Sequence, residues 1–242
     1  MCAFERSEKG MEFIMKIIYQ AQNEYPEKLN NIYSSPARLY LVGDESILNK
    51  PSVAIIGCRD ASDYGKKVAF NFAYELAKEG FVVISGLARG IDTYAHLGAV
   101  KAGGKTIAVL GSGLKHIYPS ENKKLCNEIV KNSGAIITEY EPHTKPLPMN
   151  FPSRNRIISG LSNGVLVVEA KQKSGTLITV DYALEQGKDV FVIPGNITSI
   201  NSYGTNELIK QGAKLVTNTK EIIEEIIKWK FMVTIGNLLI MW

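Results

Sequence analysis

Cysteine is scarce in this chain: Cys2, Cys58 and Cys126 are the only three in 242 residues. They are spaced too widely for a disulfide framework or a CxxC metal site, so no structural metal is expected. Isolated thiols point to a reducing, cytoplasmic setting. Histidine is as thin, with only His96, His116 and His143, and neither HExxH nor a nucleophile elbow occurs. The phosphate loop Gly-x-x-x-x-Gly-Lys-Ser/Thr is missing, as is the dinucleotide fingerprint Gly-x-Gly-x-x-Gly. No nucleotide cofactor is therefore expected. Long apolar runs are missing too. Met1 to Gly10 carries Glu5, Arg6, Glu8 and Lys9 where a signal peptide needs an apolar stretch. Phe231 to Trp242 is too short for a helix that spans a bilayer, so no membrane partner is expected. Charge of one sign is also lacking. A formal net charge of +4 does not demand a polyanionic partner, so any such case rests on where Lys and Arg cluster.

What is present is a regular rhythm. Residues 11 to 50 read as a lead-in, with helical spacing over Met11 to Gln22, a turn at Ser34-Ser35-Pro36 and a short strand from Leu39 to Val42. From Pro51 onward, apolar β-branched runs alternate with amphipathic stretches. Expected strands are Val53–Ile56, Phe81–Ile84, Thr106–Leu110, Ala135–Glu139, Gly164–Val168, Asp189–Ile193 and Lys214–Val216. Expected helices are Asp63–Glu79, Asp92–Ala102, Glu121–Asn132, Arg154–Leu161, Leu177–Gln186 and Glu207–Gln211. Nearly continuous apolar strands separated by helices imply a parallel sheet covered on both faces. Right-handed crossovers make it an α/β, extended Rossmann-like, doubly wound and mostly parallel sheet. The expected division is a lead-in over 1–44, a core over 45–217 and a tail helix over 218–242.

Ligands of such sheets bind beyond the carboxyl ends of the strands. Reading those ends in turn gives Gly57-Cys58-Arg59, Ser85-Gly86-Leu87-Ala88-Arg89-Gly90, Gly111-Ser112-Gly113, Glu169 followed by Lys171-Gln172-Lys173-Ser174-Gly175, and Pro194-Gly195-Asn196. Glycine lets a ligand approach the backbone. Free N–H groups at the next helix start, with a nearby cation, bind anions. One such loop is what any doubly wound protein needs for a tight turn. Several on one edge, three with Arg or Lys, point to a phosphate-binding face spread over several strands. A longer polyanion fits that spread better than a dinucleotide.

The sharpest local signal is Met149-Asn150-Phe151-Pro152-Ser153-Arg154-Asn155-Arg156. Cations at a helix start oppose its dipole, so Arg154 and Arg156 need another partner. Phosphate is one; a carboxylate, Glu139 or Glu169, is the other. Phe151 either stacks on a base or belongs to the core. Asp92 after Gly90-Ile91 reads as an N-cap. Glu139 and Glu169 either orient the arginines or form an acid/base pair.

Taken together these segments resemble the DprA/Smf family of bacterial DNA-processing proteins, from about residue 25 to 217. The matching motifs are Val53 to Arg59 (where the family usually reads Gly-Ser-Arg), Ser85 to Asp92 with Ala95-His96, Gly111 to Leu114 with Tyr118-Pro119, Phe151 to Ile158, Ser174 to Thr179, and Pro194-Gly195-Asn196. The resemblance implies a protein that is not an enzyme. It would bind and shield single-stranded DNA and help load the RecA recombinase during natural transformation. It implies DNA contacts at Arg59, Phe151, Arg154 and Arg156. The expected site adds Gly57, Ser85, Gly86, Arg89, Asn155, Lys171, Lys173, Ser174 and Gly175, with the Ser85-Gly86 and Ser174-Gly175 backbones donating N–H groups. The resemblance also implies a homodimer, with Asn206, Ile209 and Leu215 as contacts. Three departures stand out. Pro148 occupies a position where a lysine often sits, so Lys145 must substitute; the tail from Lys220 is too short for a winged-helix domain; and the N-terminal helical domain is nearly absent. A nucleotide-processing enzyme of the phosphoribohydrolase kind, using Glu169, is the main rival on this fold. An interaction scaffold docking through its apolar C-terminus is a second.

Overall fold

The computed structural model describes residues 14–228. Nine strands form one sheet in the order β1-β2-β6-β5-β4-β3-β7-β8-β9. They are β1 (Met15–Tyr19), β2 (Arg38–Gly43), β3 (Ser52–Gly57), β4 (Val82–Ser85), β5 (Thr106–Val109), β6 (Ala135–Thr138), β7 (Gly164–Glu169), β8 (Asp189–Val192) and β9 (Lys214–Leu215). From β6 to β9 every pairing is parallel, while β1 and β2 add an antiparallel edge beside β6. The sheet is thus the mostly parallel, doubly wound one that the alternation predicts.

Its helices are α1 (Glu27–Asn30), α2 (Asp63–Lys78), α3 (Ile91–Lys101), α4 (Lys123–Lys131), α5 (Asn150–Leu161), α6 (Gly175–Glu185) and α7 (Tyr203–Lys210), with α8 over 219–228. The period-2 alternation of a strand sends successive side chains to opposite faces. Ala54 and Ile56 of β3 therefore join Val165 and Val167 under α5 and α6. Val53 and Ile55 join Leu166 and Val168 under α2, α3 and α8. Between the edge of the sheet and α4, a third cluster holds Tyr40, Val42, Leu125 and Ile129. None of these helices is long and apolar enough to cross a membrane, among the described residues.

One expected element differs. Met11 to Gln22 carries helical spacing, yet Met15–Tyr19 is an edge strand with only Ile18 buried. The expectations for Met1 to Gly10 and for Phe231 to Trp242 lie outside the described residues.

The fold places one landmark. From β3 the chain winds one way through β4, β5 and β6, and from β7 it winds the other way through β8 and β9. β3 and β7 are neighbours, so their carboxyl ends open at the point where the winding reverses. Doubly wound sheets offer a ligand crevice there.

Candidate nucleic-acid interface

A crevice of about 520 Å3 opens at that reversal point. One wall is the loop after β3 with Arg59 and Asp60; the other is the loop after β7 with Lys171, Lys173 and Ser174, leading into Gly175 of α6. Phe151, Arg154 and Asn155 from the start of α5 close one side, with Tyr118 beside them.

Arg59 is exposed and makes no ion pair among the described residues. Its guanidinium lies over the Phe151 ring, 5.6 Å from the centroid. The Phe151 and Tyr118 rings meet at 5.6 Å between centroids. This is a cationic and aromatic wall, the pairing that suits phosphates with stacked bases. Opposite it, Lys171 approaches the Asp60 carboxylate at 3.4 Å, with both side chains open to solvent. Lys173 is exposed and carries no ion pair among the described residues.

Three of the helices that start on this rim follow β3, β4 and β7 directly, and their N-termini differ. At α2, the Ser62 N–H donates to Glu169, the Ser62 hydroxyl donates to the same carboxylate and Ser62 Oγ accepts from Gly65 N–H. Ahead of α3, the Asp92 carboxylate accepts from the N–H groups of Gly86 and Ala88. Asp92 in the first turn of α3 and Glu169 against Ser62 at the start of α2 are both buried, so two of these three helix starts already have a carboxylate beside them. At α6 the only cap is the neutral hydroxyl of Ser174, which accepts from Thr176 N–H. Gly175 at its first position is exposed, with open space where a Cβ would stand. The dipole of α6 therefore faces the crevice without an internal carboxylate at its end.

Arg154 is only 4% exposed. Its guanidinium donates to the Gly86 carbonyl at 2.8 Å and also to the Val109 carbonyl. Buried carbonyls at strand ends need donors; Arg154 supplies them to Gly86, directly after β4, and to Val109, the last residue of β5. Gly86 leaves the room, since a Cβ there would stand 2.6 Å from the guanidinium. Burial pulls Arg154 down to about 10 despite the nearby Asp92, and burial likewise pushes Asp92 up. The cation that opposes the α5 dipole thus serves the sheet, with one edge at the crevice floor.

Arg156 does not reach the crevice. It forms a two-pronged pair with Glu139, both contacts at 2.6 Å, and its Nε donates to the Ser34 carbonyl at 2.9 Å. The phosphate expected for Arg156 is replaced by a carboxylate. Ser85 also stands apart: it is fully buried, and its hydroxyl donates to the Ile55 carbonyl. The N–H that Gly86 was expected to offer a ligand is already given to Asp92. Gly57 lines the crevice, but its main task is close approach, since a Cβ would stand 2.6 Å from Ile91. Arg89 pairs with Glu121 on a small neighbouring hollow that shares Arg59 and Phe151. Lys145 is exposed and does not line the crevice. Asn155 does line it, its amide donating to the Gly175 carbonyl at 3.4 Å. Of the expected dimer contacts, Asn206 is half-buried and bonded to the Gly195 backbone, Ile209 packs against the core, and Leu215 is exposed on edge strand β9.

Sequence reasoning passed over Tyr118 and Asp60 as site residues. Tyr118 carries a usable signal, an aromatic before proline in a loop at a strand's carboxyl end. Asp60 directly follows Arg59 and is hidden only by the search for cations.

Residues 16–227 match the family model for DNA recombination-mediator protein A. The chain is 44% identical over 207 residues to DNA processing protein DprA of Bacillus subtilis, covering 85% of this chain and 69% of that one. It is 46% identical over 201 residues to the DprA of Streptococcus pneumoniae, covering 83% and 71%. The X-ray structure of the pneumococcal protein superposes with a TM-score of 0.83 at 44% identity over 87% of this chain and 74% of that one. DNA processing protein A from Helicobacter pylori, whose structure gives insight into a unique single-stranded DNA binding mode, superposes with a TM-score of 0.81 at 33% identity, covering 94% and 99%. With every residue of its Rossmann-like sheet but Met15 inside the matched span, this chain belongs to the DprA/Smf family of DNA processing proteins, the DNA recombination-mediator proteins A.

Proposed function

We propose that this chain binds single-stranded DNA in the crevice between the carboxyl ends of β3 and β7, as a carrier and not as an enzyme. Arg59, Lys171 and Lys173 hold phosphates, and the α6 terminus at Ser174-Gly175 receives one more. Phe151, steadied by Tyr118, stacks on a base, and Asn155 lines the path. Arg154 shapes the floor. In keeping with the family, the bound strand is shielded and passed to the RecA recombinase during DNA uptake. The proposed acting form is a homodimer pairing near Leu215.

The observation that carries this reading is the opposition of two walls across one crevice. One wall is Arg59 over Phe151, and the other is Lys171 and Lys173 beside the α6 terminus. The H. pylori relative's single-stranded DNA binding supports it. The nucleotide-processing alternative is weakened because its candidate base, Glu169, is 2% exposed and held by Ser62 and Asn201.

The test is a titration of labelled oligo-dT at several salt concentrations. Three phosphate-binding cations give a slope of log affinity against log salt of roughly −2. Arg59→Ala weakens binding by roughly 10- to 150-fold, the worth of a hydrogen bond to a charged group, and makes the slope shallower by about 0.7. An Arg59→Ala protein with the parent's affinity and slope refutes the site. Free base released from nucleoside monophosphates by the unsubstituted protein would refute the non-catalytic assignment.

A further inference from the structure

A second cleft, of about 460 Å3, runs beside the crevice. Lys171 and Lys173 belong to both. Its far wall is the segment after β8, where Ile197 is 91% exposed, Ile200 73% and Tyr203 47%. This wall is held in place. The Ala170 N–H donates to the Asn201 carbonyl at 2.8 Å, and the Asn201 amide donates to the Asp60 carbonyl. The Gly204 N–H returns to the Ala170 carbonyl at 2.7 Å. At Gly204 a Cβ would lie 2.8 Å from the carbonyl oxygens of both Ala170 and Lys171, so α7 starts hard against the lysine loop. Two isoleucines and a tyrosine thus project from a backbone anchored on both sides. Lysines flank them, none of the three belongs to a core cluster, and the Tyr203 hydroxyl accepts from the Gln172 amide at 3.4 Å. A clustered exposed apolar patch of this kind marks a binding surface, and shared cations make it continuous with the crevice.

We infer that the bound strand continues out of the crevice, over Lys171 and Lys173, and lays its next bases on Tyr203, Ile200 and Ile197. This extension rests on the crevice reading above. The occupant is the same single-stranded DNA, because a cation row beside apolar faces matches phosphates beside bases, and base stacking is tolerant of sequence. The lysines serve both halves, and the apolar wall adds affinity only for strands long enough to reach it.

The experiment compares a short oligo-dT of about four nucleotides with one of about twelve, within the range of known single-strand site sizes. Tyr203→Ala and Ile200→Ser, both at exposed positions, are measured beside Arg59→Ala. The expected result is that Tyr203→Ala weakens the long oligonucleotide by roughly 5- to 150-fold, that Ile200→Ser weakens it too, and that both leave the short one unchanged, while Arg59→Ala weakens both. In parallel, a long oligonucleotide bearing 5-iodouracil is irradiated with the unsubstituted chain, and a crosslinked peptide containing Tyr203 is expected. If Arg59→Ala weakens both oligonucleotides but Tyr203→Ala and Ile200→Ser weaken neither and no Tyr203 crosslink forms, the extension is overturned and the crevice stands. If Arg59→Ala changes nothing, the crevice reading itself fails and takes the extension with it. If the two variants lower the sedimenting mass of the free protein while both oligonucleotides bind as before, the patch is a contact between copies and the extension is overturned.

Discussion

Replacing Arg154 and Arg59 separately by alanine distinguishes two arginines that look alike in sequence. Arg154→Ala strips the donor from the Gly86 and Val109 carbonyls, both buried against it, and leaves Asp92 without its neighbouring cation. Breaking a buried charged arrangement from one side costs about 3–5 kcal/mol. A protein of this size loses about 2–4 °C of melting temperature per kcal/mol, so the expected drop is roughly 6–20 °C. Arg59→Ala removes an exposed guanidinium that lies over the Phe151 ring, worth about 0.5–1 kcal/mol, so its melting temperature falls by no more than about 4 °C. Thermal unfolding followed by circular dichroism measures stability. Fluorescence anisotropy with labelled oligo-dT, well below either transition, measures binding. The expected pattern is stability lost in Arg154→Ala and affinity lost in Arg59→Ala. An Arg154→Ala protein with the parent's stability but with affinity as weak as Arg59→Ala would refute the reasoning, because the guanidinium would then be spent on phosphate.

Three further outcomes are expected. His96 accepts no proton in the fold: burial first, then the Arg154 charge, pull it from 6.5 to about 3. Its folded value is depressed, so the unfolded chain binds more protons below pH 6.5. Stability is then fully present above that pH and falls as the medium is acidified. Between pH 7 and 5.5 the loss is about 1 kcal/mol from this group alone, seen as a lower urea midpoint in the parent and a flatter profile in His96→Gln. Gly175→Ala meets open space and sits at a helix start, so stability rises by about 0.4–1 kcal/mol, while oligo-dT affinity falls because the added methyl stands where the proposed phosphate meets that backbone; equal affinity would remove α6 from the site. Asp60→Asn removes an exposed carboxylate from the crevice wall and frees Lys171, so affinity rises by roughly 2- to 5-fold, the worth of one like-charge contact near a surface, and anisotropy titration at low salt reads it.

Much of the fold was legible because burial on both faces leaves a plain mark: strands such as Val53–Ile56 are unbroken apolar runs. β1 was not, because an edge strand covered on one side leaves only Ile18 buried among Met15, Lys16, Ile17 and Tyr19, and four exposed positions follow either period. The crevice was legible in outline, since glycines and cations must gather at strand ends to bind an anion. Which of those groups are free was not. Arg154 finds its acceptors at Gly86 and Val109, 68 and 45 positions away, and Arg156 finds Glu139 just past the end of β6. Local sequence shows that a cation at a helix start needs a partner but does not say whether that partner is carbonyl, carboxylate or phosphate.

The small net charge of +4 is compatible with an anion site because the rim sorts its charges by depth. Asp92 is buried in the first turn of α3, where it accepts from the Gly86 and Ala88 N–H groups, Glu169 is buried against Ser62 at the start of α2, and Glu139 is turned onto Arg156. Each has its charge taken up within the protein, at a helix end or by a cation. Arg59 and Lys173 stand outside with no carboxylate partner among the described residues. A charge held behind a protein layer and neutralised there projects little field into the crevice, whereas an exposed cation on a concave wall acts at full strength on what enters. Formal charge counts the two alike. What attracts a phosphate is the residue left over after the carboxylates have been spent on helix ends, and on this rim that remainder is positive at Arg59, Lys173 and the α6 terminus.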